Sequence, residues 1–176
     1  MSKPVQLLVH HNLLSKEKSF FDYGSGRGDD NETLIAEGID AAGWDPYYNN
    51  EASKKNADIV NIGFVLNVIE GIDERKTALR NAWKLTKGVL SVAVMSPSSN
   101  AIENSRPFKD GFLTSRNTFQ KYYSQEQLRD FIIEELNEEP IAAAPGIFFV
   151  FSDEKDPTLL KELLEKRRPC FNSLEI

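Results

Sequence analysis

The run Asp22-Tyr23-Gly24-Ser25-Gly26-Arg27-Gly28 holds residues whose types and spacing suit the binding of a small ligand. It follows the apolar residues Phe20 and Phe21, so a carboxylate and three glycines stand where a short strand stops. Glycines at this spacing let the chain turn tightly and let a ligand lie against the peptide plane, because no Cβ stands between them. A carboxylate at the strand end accepts hydrogen bonds from a cationic group such as an α-ammonium. A second acid, Asp45, closes another short run and is followed at once by Pro46. In α/β nucleotide folds an acid about twenty residues beyond the glycine loop accepts from the ribose hydroxyls. Without the loop, Asp-Pro would read as a strand-ending turn.

The spacing Asp-x-Gly-x-Gly-x-Gly fits the first motif of S-adenosylmethionine-dependent methyltransferases. A dinucleotide fits less well, since its third glycine is needed three residues after the second, where this chain has Asp29. Asp29 and Asp30 also place negative charge at the start of the next helix, the position a pyrophosphate would need for itself. Their ordinary role there is to complement the helix dipole. A ligand with a sulfonium and a zwitterionic amino acid tolerates them. The expected cofactor is therefore S-adenosyl-L-methionine, held by Asp22, Tyr23, Gly24, Ser25, Gly26, Gly28 and Asp45. Trp44, Tyr47 or Tyr48 would stack on its adenine, although core packing explains an aromatic there equally well.

The strand Asp58-Ile59-Val60-Asn61-Ile62-Gly63-Phe64 falls where a transferred methyl group would be faced. Asn61 and Phe64 occupy the outer positions of an Asn-Pro-Pro-Tyr-like pattern, with Ile62 and Gly63 replacing the prolines. In amino-group DNA methylation the Asn holds the amine and the aromatic stacks on an extruded base. Asn61 is thus the candidate catalytic and cofactor-side residue and Phe64 a candidate substrate contact. The alternative is an Asn at a strand end beside a core Phe. No Pro-Cys nucleophile occurs in this strand, and the sole cysteine is Cys170, so C5-cytosine methylation is not expected.

Residues 104–123 hold Arg106, Lys109, Arg116 and Lys121 against a single acid, Asp110, with Phe108, Phe112, Phe119, Tyr122 and Tyr123 interleaved. Arg116, Phe119 and Lys121 are candidate substrate contacts, since cations among aromatics suit nucleic acid. The same composition also makes a solvated lid with aromatic anchors. His10 and His11 are adjacent, cannot share a helix face, and are read as packing or surface residues; no metal site is expected.

These residues need elements to position them. The pattern predicts a helix within residues 5–14, a strand at 19–23, a helix over 31–37 ending at Gly38, and a weak strand at 40–45. It continues with the strand 57–64, a helix from Glu74 to Thr86 capped by Asp73 and closed by Gly88, and a strand at 89–95. A polar loop follows over 96–123. Ser124 with Gln127 forms a capping box for a helix through Leu136, a hairpin turns at Pro145-Gly146, and an amphipathic helix spans 157–168. Strands alternating with helices imply parallel β-α-β units, here ending in an antiparallel hairpin. The fold class is α/β: a Rossmann-like class I methyltransferase sheet, mostly parallel, with that C-terminal hairpin. Only twelve residues lie between Asp45 and Asp58, too few for the usual third-strand unit.

The chain of 176 residues has the length of one domain, and 40% hydrophobic with 27% charged residues is an ordinary globular balance. A net charge of −6 argues against nonspecific coating of nucleic acid. The single cysteine excludes an internal disulfide framework, and no apolar run reaches the roughly twenty residues of a membrane span. A cytoplasmic protein is expected.

The stretches FFDYGSGRGDD, GWDPYY, ADIVNIGFVLNVIE followed by DER, FLTSRNTFQKYYS and AAAPGIFFVF resemble the methyltransferases associated with DNA phosphorothioation systems in bacteria. The resemblance runs from about Lys3 to Phe151, and the FQKYYS and NVIE blocks are its more specific parts. It implies a class I fold, S-adenosylmethionine as cofactor, and DNA or DNA-modification proteins as partners. The cysteine common after the first motif glycine is Ser25 here. A regulatory module that keeps the cofactor pocket without turnover is the alternative function, and a NAD-type oxidoreductase a more distant one.

Overall fold

A computed structural model describes residues 1–152. The helix expected over 157–168, and Cys170, lie outside the described residues. Helix α1 (Lys3–His10) precedes strand β1 (Phe20–Tyr23), helix α2 (Asp29–Ala36) and strand β2 (Ala41–Trp44). Strand β3 (Ala57–Gly63), helix α3 (Ile72–Leu85) and strand β4 (Thr86–Ala93) follow. Next come helix α4 (Ser99–Glu103) and three short strands, β5 (Arg106–Phe108), β6 (Gly111–Leu113) and β7 (Phe119–Gln120). Helix α5 (Gln125–Leu136) leads into the closing strands β8 (Ile141–Ala144) and β9 (Ile147–Phe151).

Six strands form the main sheet in the order β2-β1-β3-β4-β9-β8. β1 pairs in parallel with β2 and β3, and β3 with β4, whereas β9 runs antiparallel to β4 and to β8. This is the expected mostly parallel sheet with a terminal hairpin. β2 is the edge strand on its side, so the expected lack of a third-strand unit holds. Between β2 and β3 there is only an isolated bridge from Asp45 to Asn49.

Alternation along the strands divides the core into two layers. Phe21, Val60, Ile62 and Leu90 face Leu79 and Ala82 of α3 and Leu128 and Ile132 of α5. Phe20, Ile59, Val89 and Phe149 face Val5 and Leu8 of α1 and Leu34 of α2. Covering both faces explains why β3 and β4 read as nearly continuous apolar runs. Each large side chain buried this way contributes roughly 1.5–3 kcal/mol. The Ser124 capping box is present in full, with Gln127 N donating to Ser124 Oγ and Ser124 N to the Gln127 side chain.

Three local expectations are corrected. Asp73 does not cap α3: the helix begins at Ile72, two residues earlier than expected, Gly71 is the cap position, and Asp73 sits in the first turn, where its charge still meets the helix dipole. Gly88 does not close α3 either. Thr86 turns directly into an extended conformation, its Oγ1 donating to Ala82 O, and Gly88 lies within β4. The segment 96–123 is no bare loop but carries α4 and the antiparallel sheet β5-β6-β7. Strands of two or three residues leave too little periodicity to be read from composition. No helix among the described residues is long and apolar enough to cross a membrane.

Candidate functional site

The C-terminal ends of β1, β2 and β3 lie side by side because the three strands are parallel and in register: Asp22 is level with Gly43 and Asn61, and Tyr23 with Trp44. The glycine loop leaves β1 there. Gly24, Gly26 and Gly28 all have positive φ, at 88°, 54° and 88°. For Gly24 the close approach of Val65 adds a second demand, since a Cβ would stand 2.3 Å from Val65 Cγ2. Gly26 and Gly28 face open space, and a Cβ at either would meet nothing within 4 Å. The amides of Gly24 and Ser25 donate to the Trp44 carbonyl at 2.7 and 3.0 Å, which ties the loop to the end of β2.

Asp45 makes the second tie. Its Oδ2 accepts from the Gly26 amide at 2.9 Å, and its Oδ1 accepts from the Tyr47 and Tyr48 amides at 2.9 and 3.0 Å. Oδ1 has therefore used both lone pairs, and Oδ2 keeps one for a further donor. Arg27 adds a contact between the same loops, its guanidinium carbon 5.5 Å from the Tyr48 ring centroid.

Asp22 is buried at 6% exposure, and Asn61, at 2%, donates from Nδ2 to Asp22 Oδ1 at 2.9 Å. Burial pushes the Asp22 carboxyl up to about 7 against the lowering effect of that hydrogen bond, and the nearby charges of Asp30 and Asp45 add to the rise. The Oδ1 of Asn61 is buried without a hydrogen-bond partner. So is Oδ1 of Asn31, whose amide lies against Gly43 in the neighbouring strand. The ground beneath the glycine loop is rich in acceptors.

A cavity of about 890 Å³ opens above these strand ends. Tyr23, Gly24, Trp44, Asp45, Phe64 and Phe119, all singled out in the sequence, line it. Asp22, Ser25, Gly26, Gly28 and Asn61 are not in its wall; Asp22 and Asn61 lie buried in the adjoining strands. Phe64 reaches the wall with φ at 60°, an uncommon conformation for a bulky side chain and one that functional sites tend to hold. The sequence did not point to Glu70, Glu74 and Thr77 around the start of α3, or to Thr118 and Gln120 around β7, which also line the cavity. Glu70, Glu74, Thr118 and Gln120 fall within the NVIE, DER and FLTSRNTFQKYYS stretches, but nothing in those stretches gives them a role, because the fold alone brings α3 and the small sheet to this edge.

The basic segment does not present its charges as a patch. Lys121 Nζ lies 3.4 Å from Asp110 Oδ2, bonds to Asp110 O at 3.0 Å, and rests over Tyr123. Lys109 pairs with Glu70. Asp110 is further held by Arg75 Nη2 at 2.7 Å, which keeps its carboxyl below the usual range. Arg106 and Arg116 are exposed, and Phe119 is buried beneath Arg75.

No family model and no curated protein matches the sequence. Solved structures do. An amino pentose methyltransferase from Micromonospora echinaspora, in its S-adenosylmethionine-bound structure, superposes with a TM-score of 0.60 at 10% identity, covering 85% of this chain and 89% of that one. A 1,6-didemethyltoxoflavin N1-methyltransferase from Burkholderia thailandensis, with S-adenosylhomocysteine bound, gives 0.59 at 12% identity over 85% and 76%. A sugar N-methyltransferase from Streptoalloteichus gives 0.57 at 13% identity over 84% of each chain. The chain has the class I methyltransferase fold. Within that fold, the glycine loop, Asp45 and the cavity sit at the carboxyl edge of the parallel strands, where α/β sheets take their ligands. The comparisons give no link to DNA phosphorothioation systems.

Proposed function

We propose that this chain binds S-adenosyl-L-methionine and transfers its methyl group to a nucleophile on a small acceptor in the same cavity. The observation that carries this reading is the buried Asp22–Asn61 pair, a raised carboxyl beside an unpartnered amide oxygen, below a left-handed glycine loop. Such a pair has surplus acceptors and calls for a cationic donor. The proposed cofactor is cationic at sulfur and carries an α-ammonium donor, so these acceptors fit it.

S-adenosylmethionine, when bound, supplies the electrophilic methyl. The chain's own part is binding and orientation. Asp22 would accept from the α-ammonium group, Asn61 would hold Asp22 in place, and the remaining lone pair of Asp45 would take one ribose hydroxyl. The loop amides and Trp44 would flank the nucleoside, and Phe64 and Phe119 would form the acceptor side. Holding nucleophile and methyl in line supplies most of the catalysis in reactions of this kind.

The cavity lining includes Asp45, Glu70 and Glu74 and, among the described residues, neither lysine nor arginine. This favours a neutral or cationic acceptor over a phosphate backbone. The amino-sugar and sugar N-methyltransferases among the fold neighbours act in keeping with such an acceptor. A DNA acceptor, or a component of a DNA phosphorothioation system, is the second reading; the sequence resemblance and the exposed Arg106 and Arg116 favour it. Calorimetric titration of the purified chain with S-adenosylhomocysteine and with NAD tests the first claim. Saturable binding of the former alone supports it, and binding of neither or of NAD alone overturns it. Methyl incorporation from labelled cofactor into amino sugars, plain DNA and phosphorothioated DNA then separates the acceptors.

A further inference from the structure

We propose that Ser91 is a positioning residue for the cofactor site: its hydroxyl donates to Asn61 Oδ1 and so holds the amide with Nδ2 turned to Asp22. The inference deepens the proposed function and rests on it for what Asp22 then binds. Asp22, Asn61 and Ser91 are successive register partners on β1, β3 and β4, and all three are buried, Ser91 at 0% exposure. Register partners of parallel strands point to one face of the sheet, here the face that packs on α1 and α2. The row beneath them on that face is Phe20, Ile59 and Val89, and the next row towards the carboxyl edge holds Gly63 and Ala93. A polar row thus crosses an apolar face, one step below Gly63 in the cavity wall. Asn61 leans into that step: a Cβ on Gly63 would stand 2.9 Å from Asn61 Nδ2.

Two atoms of the row are left over. Asn61 Oδ1 and Ser91 Oγ are both buried without a hydrogen-bond partner, although their side chains are neighbours across β3 and β4. Each orphan costs stability, and a hydroxyl beside an acceptor removes both costs at once. Neighbouring strands lie about 4.8 Å apart, so one turn of the serine χ1 or one buried water closes the contact. The contact matters because an amide presents opposite chemistry at its two ends. With Oδ1 taken by Ser91, the end left for Asp22 is the donor, which a carboxylate needs. A chain of hydrogen bonds is worth more when it ends on a charge than on a neutral acid. The hydroxyl therefore favours ionised Asp22, the form that meets a cation. Asp30 of α2 and Asp45 at the end of β2 oppose that ionisation, and His11, just beyond α1, meets the Phe149 ring beside Ser91.

The test follows the Asp22 carboxyl itself, by carboxyl-carbon NMR of the chain labelled at aspartate, with Asp22→Asn to assign the signal. In the free chain Ser91→Ala should raise the pH at which Asp22 ionises by about one unit, the scale of one hydrogen bond to a charged group. Ser91→Cys, a weaker donor, should shift it less in the same direction. Calorimetry with S-adenosylhomocysteine should then show about fivefold weaker binding to Ser91→Ala near pH 7, fading by about pH 9, where Asp22 is ionised in both chains. An unchanged or lowered midpoint in the variants would overturn the proposal, and Ser91→Cys decides alone if Ser91→Ala does not fold. A raised midpoint with equal affinity at pH 7 would also overturn it, because Asp22 would then not meet the ligand. A raised midpoint in a chain that binds no S-adenosylhomocysteine would leave Ser91 holding Asn61 and remove the proposed function.

Discussion

Asn61 Nδ2 donates to Asp22 Oδ1 at 2.9 Å across two neighbouring parallel strands, with both side chains almost fully buried. The pair is level in register, Asp22 on β1 and Asn61 on β3, so the contact follows from the strand alignment itself. Asn61 therefore sits behind the cavity wall and, in the proposed function, would act on the cofactor through Asp22, whereas the sequence alone placed it directly against acceptor and cofactor.

The raised carboxyl of Asp22 sets a pH dependence. The folded chain keeps this proton up to about 7, while the unfolded chain loses it in the ordinary carboxylate range near 4. Stability from this residue is full below that range and falls as pH rises through about 4 to 7. Asp22→Asn should remove the slope and stabilise the free chain at pH 8 by on the order of 2 kcal/mol. Thermal unfolding of both chains between pH 5 and 8 measures it. Binding of a cation to Asp22 has the opposite dependence. Affinity for S-adenosylhomocysteine should fall as pH drops below about 7, with proton release visible in calorimetry at pH 6.

Gly24 and Gly26 should separate folding from binding. A side chain at Gly24 meets Val65 Cγ2 at 2.3 Å, so Gly24→Ala should lose about 2 kcal/mol of stability. Gly26 faces open space, so Gly26→Val should keep the fold at a cost of roughly 1–2 kcal/mol for its left-handed backbone. It should nevertheless abolish S-adenosylhomocysteine binding. Chemical denaturation and calorimetry on the two variants give both quantities, and unchanged affinity in folded Gly26→Val would remove the loop from the site.

Asp45 organises the loops before it meets any ligand. Asp45→Ala strips acceptors from the amides of Gly26, Tyr47 and Tyr48 and should destabilise the chain by about 2 kcal/mol. Asp45→Asn retains one acceptor oxygen and should cost less. Both should weaken S-adenosylhomocysteine about tenfold or more, the loss expected for one charge-assisted hydrogen bond. A variant that binds normally would free Asp45 from the ribose role.

Arg75 and Asp110 join the small sheet to α3. Arg75 is buried at 2% exposure and donates to Asp110 Oδ1 at 2.7 Å and to Tyr123 Oη at 3.2 Å. Asp110→Asn leaves that guanidinium without a full counter-charge. The loss should be about 2 kcal/mol, less than for a fully buried pair because Asp110 is partly exposed. Hydrogen exchange should show the loosening within 105–122, and S-adenosylhomocysteine affinity should change little.

The nucleic-acid reading makes its own prediction. Lys109 and Lys121 are held by Glu70 and Asp110, so Arg106 and Arg116 are the cations left to meet phosphate. If DNA is the acceptor, Arg106→Ala with Arg116→Ala should flatten the salt dependence of DNA binding by about one unit per lost contact. A slope unchanged by the double substitution, or no salt-dependent binding at low ionic strength, would discard the reading.

The glycine loop, the strand-end acids, the terminal hairpin and the missing third-strand unit were legible in the residues, because each depends on local chemistry. Glycines set left-handed turns, alternation sets strand faces, and twelve residues cannot hold a helix-strand-helix unit. The small sheet within 96–123 was not legible, since strands this short are made by pairing with one another. Nor were the partners of the charged side chains. Lys121 read as a candidate substrate contact and is held by Asp110; Lys54 carried no signal and lies on Trp44; Asn61 read as a candidate catalytic and cofactor-side residue and is buried against Asp22. What a residue type can do is a property of the side chain, written in the sequence. Which group it meets, and how much water is left around it, depends on elements distant in the chain, and only the tertiary structure decided that.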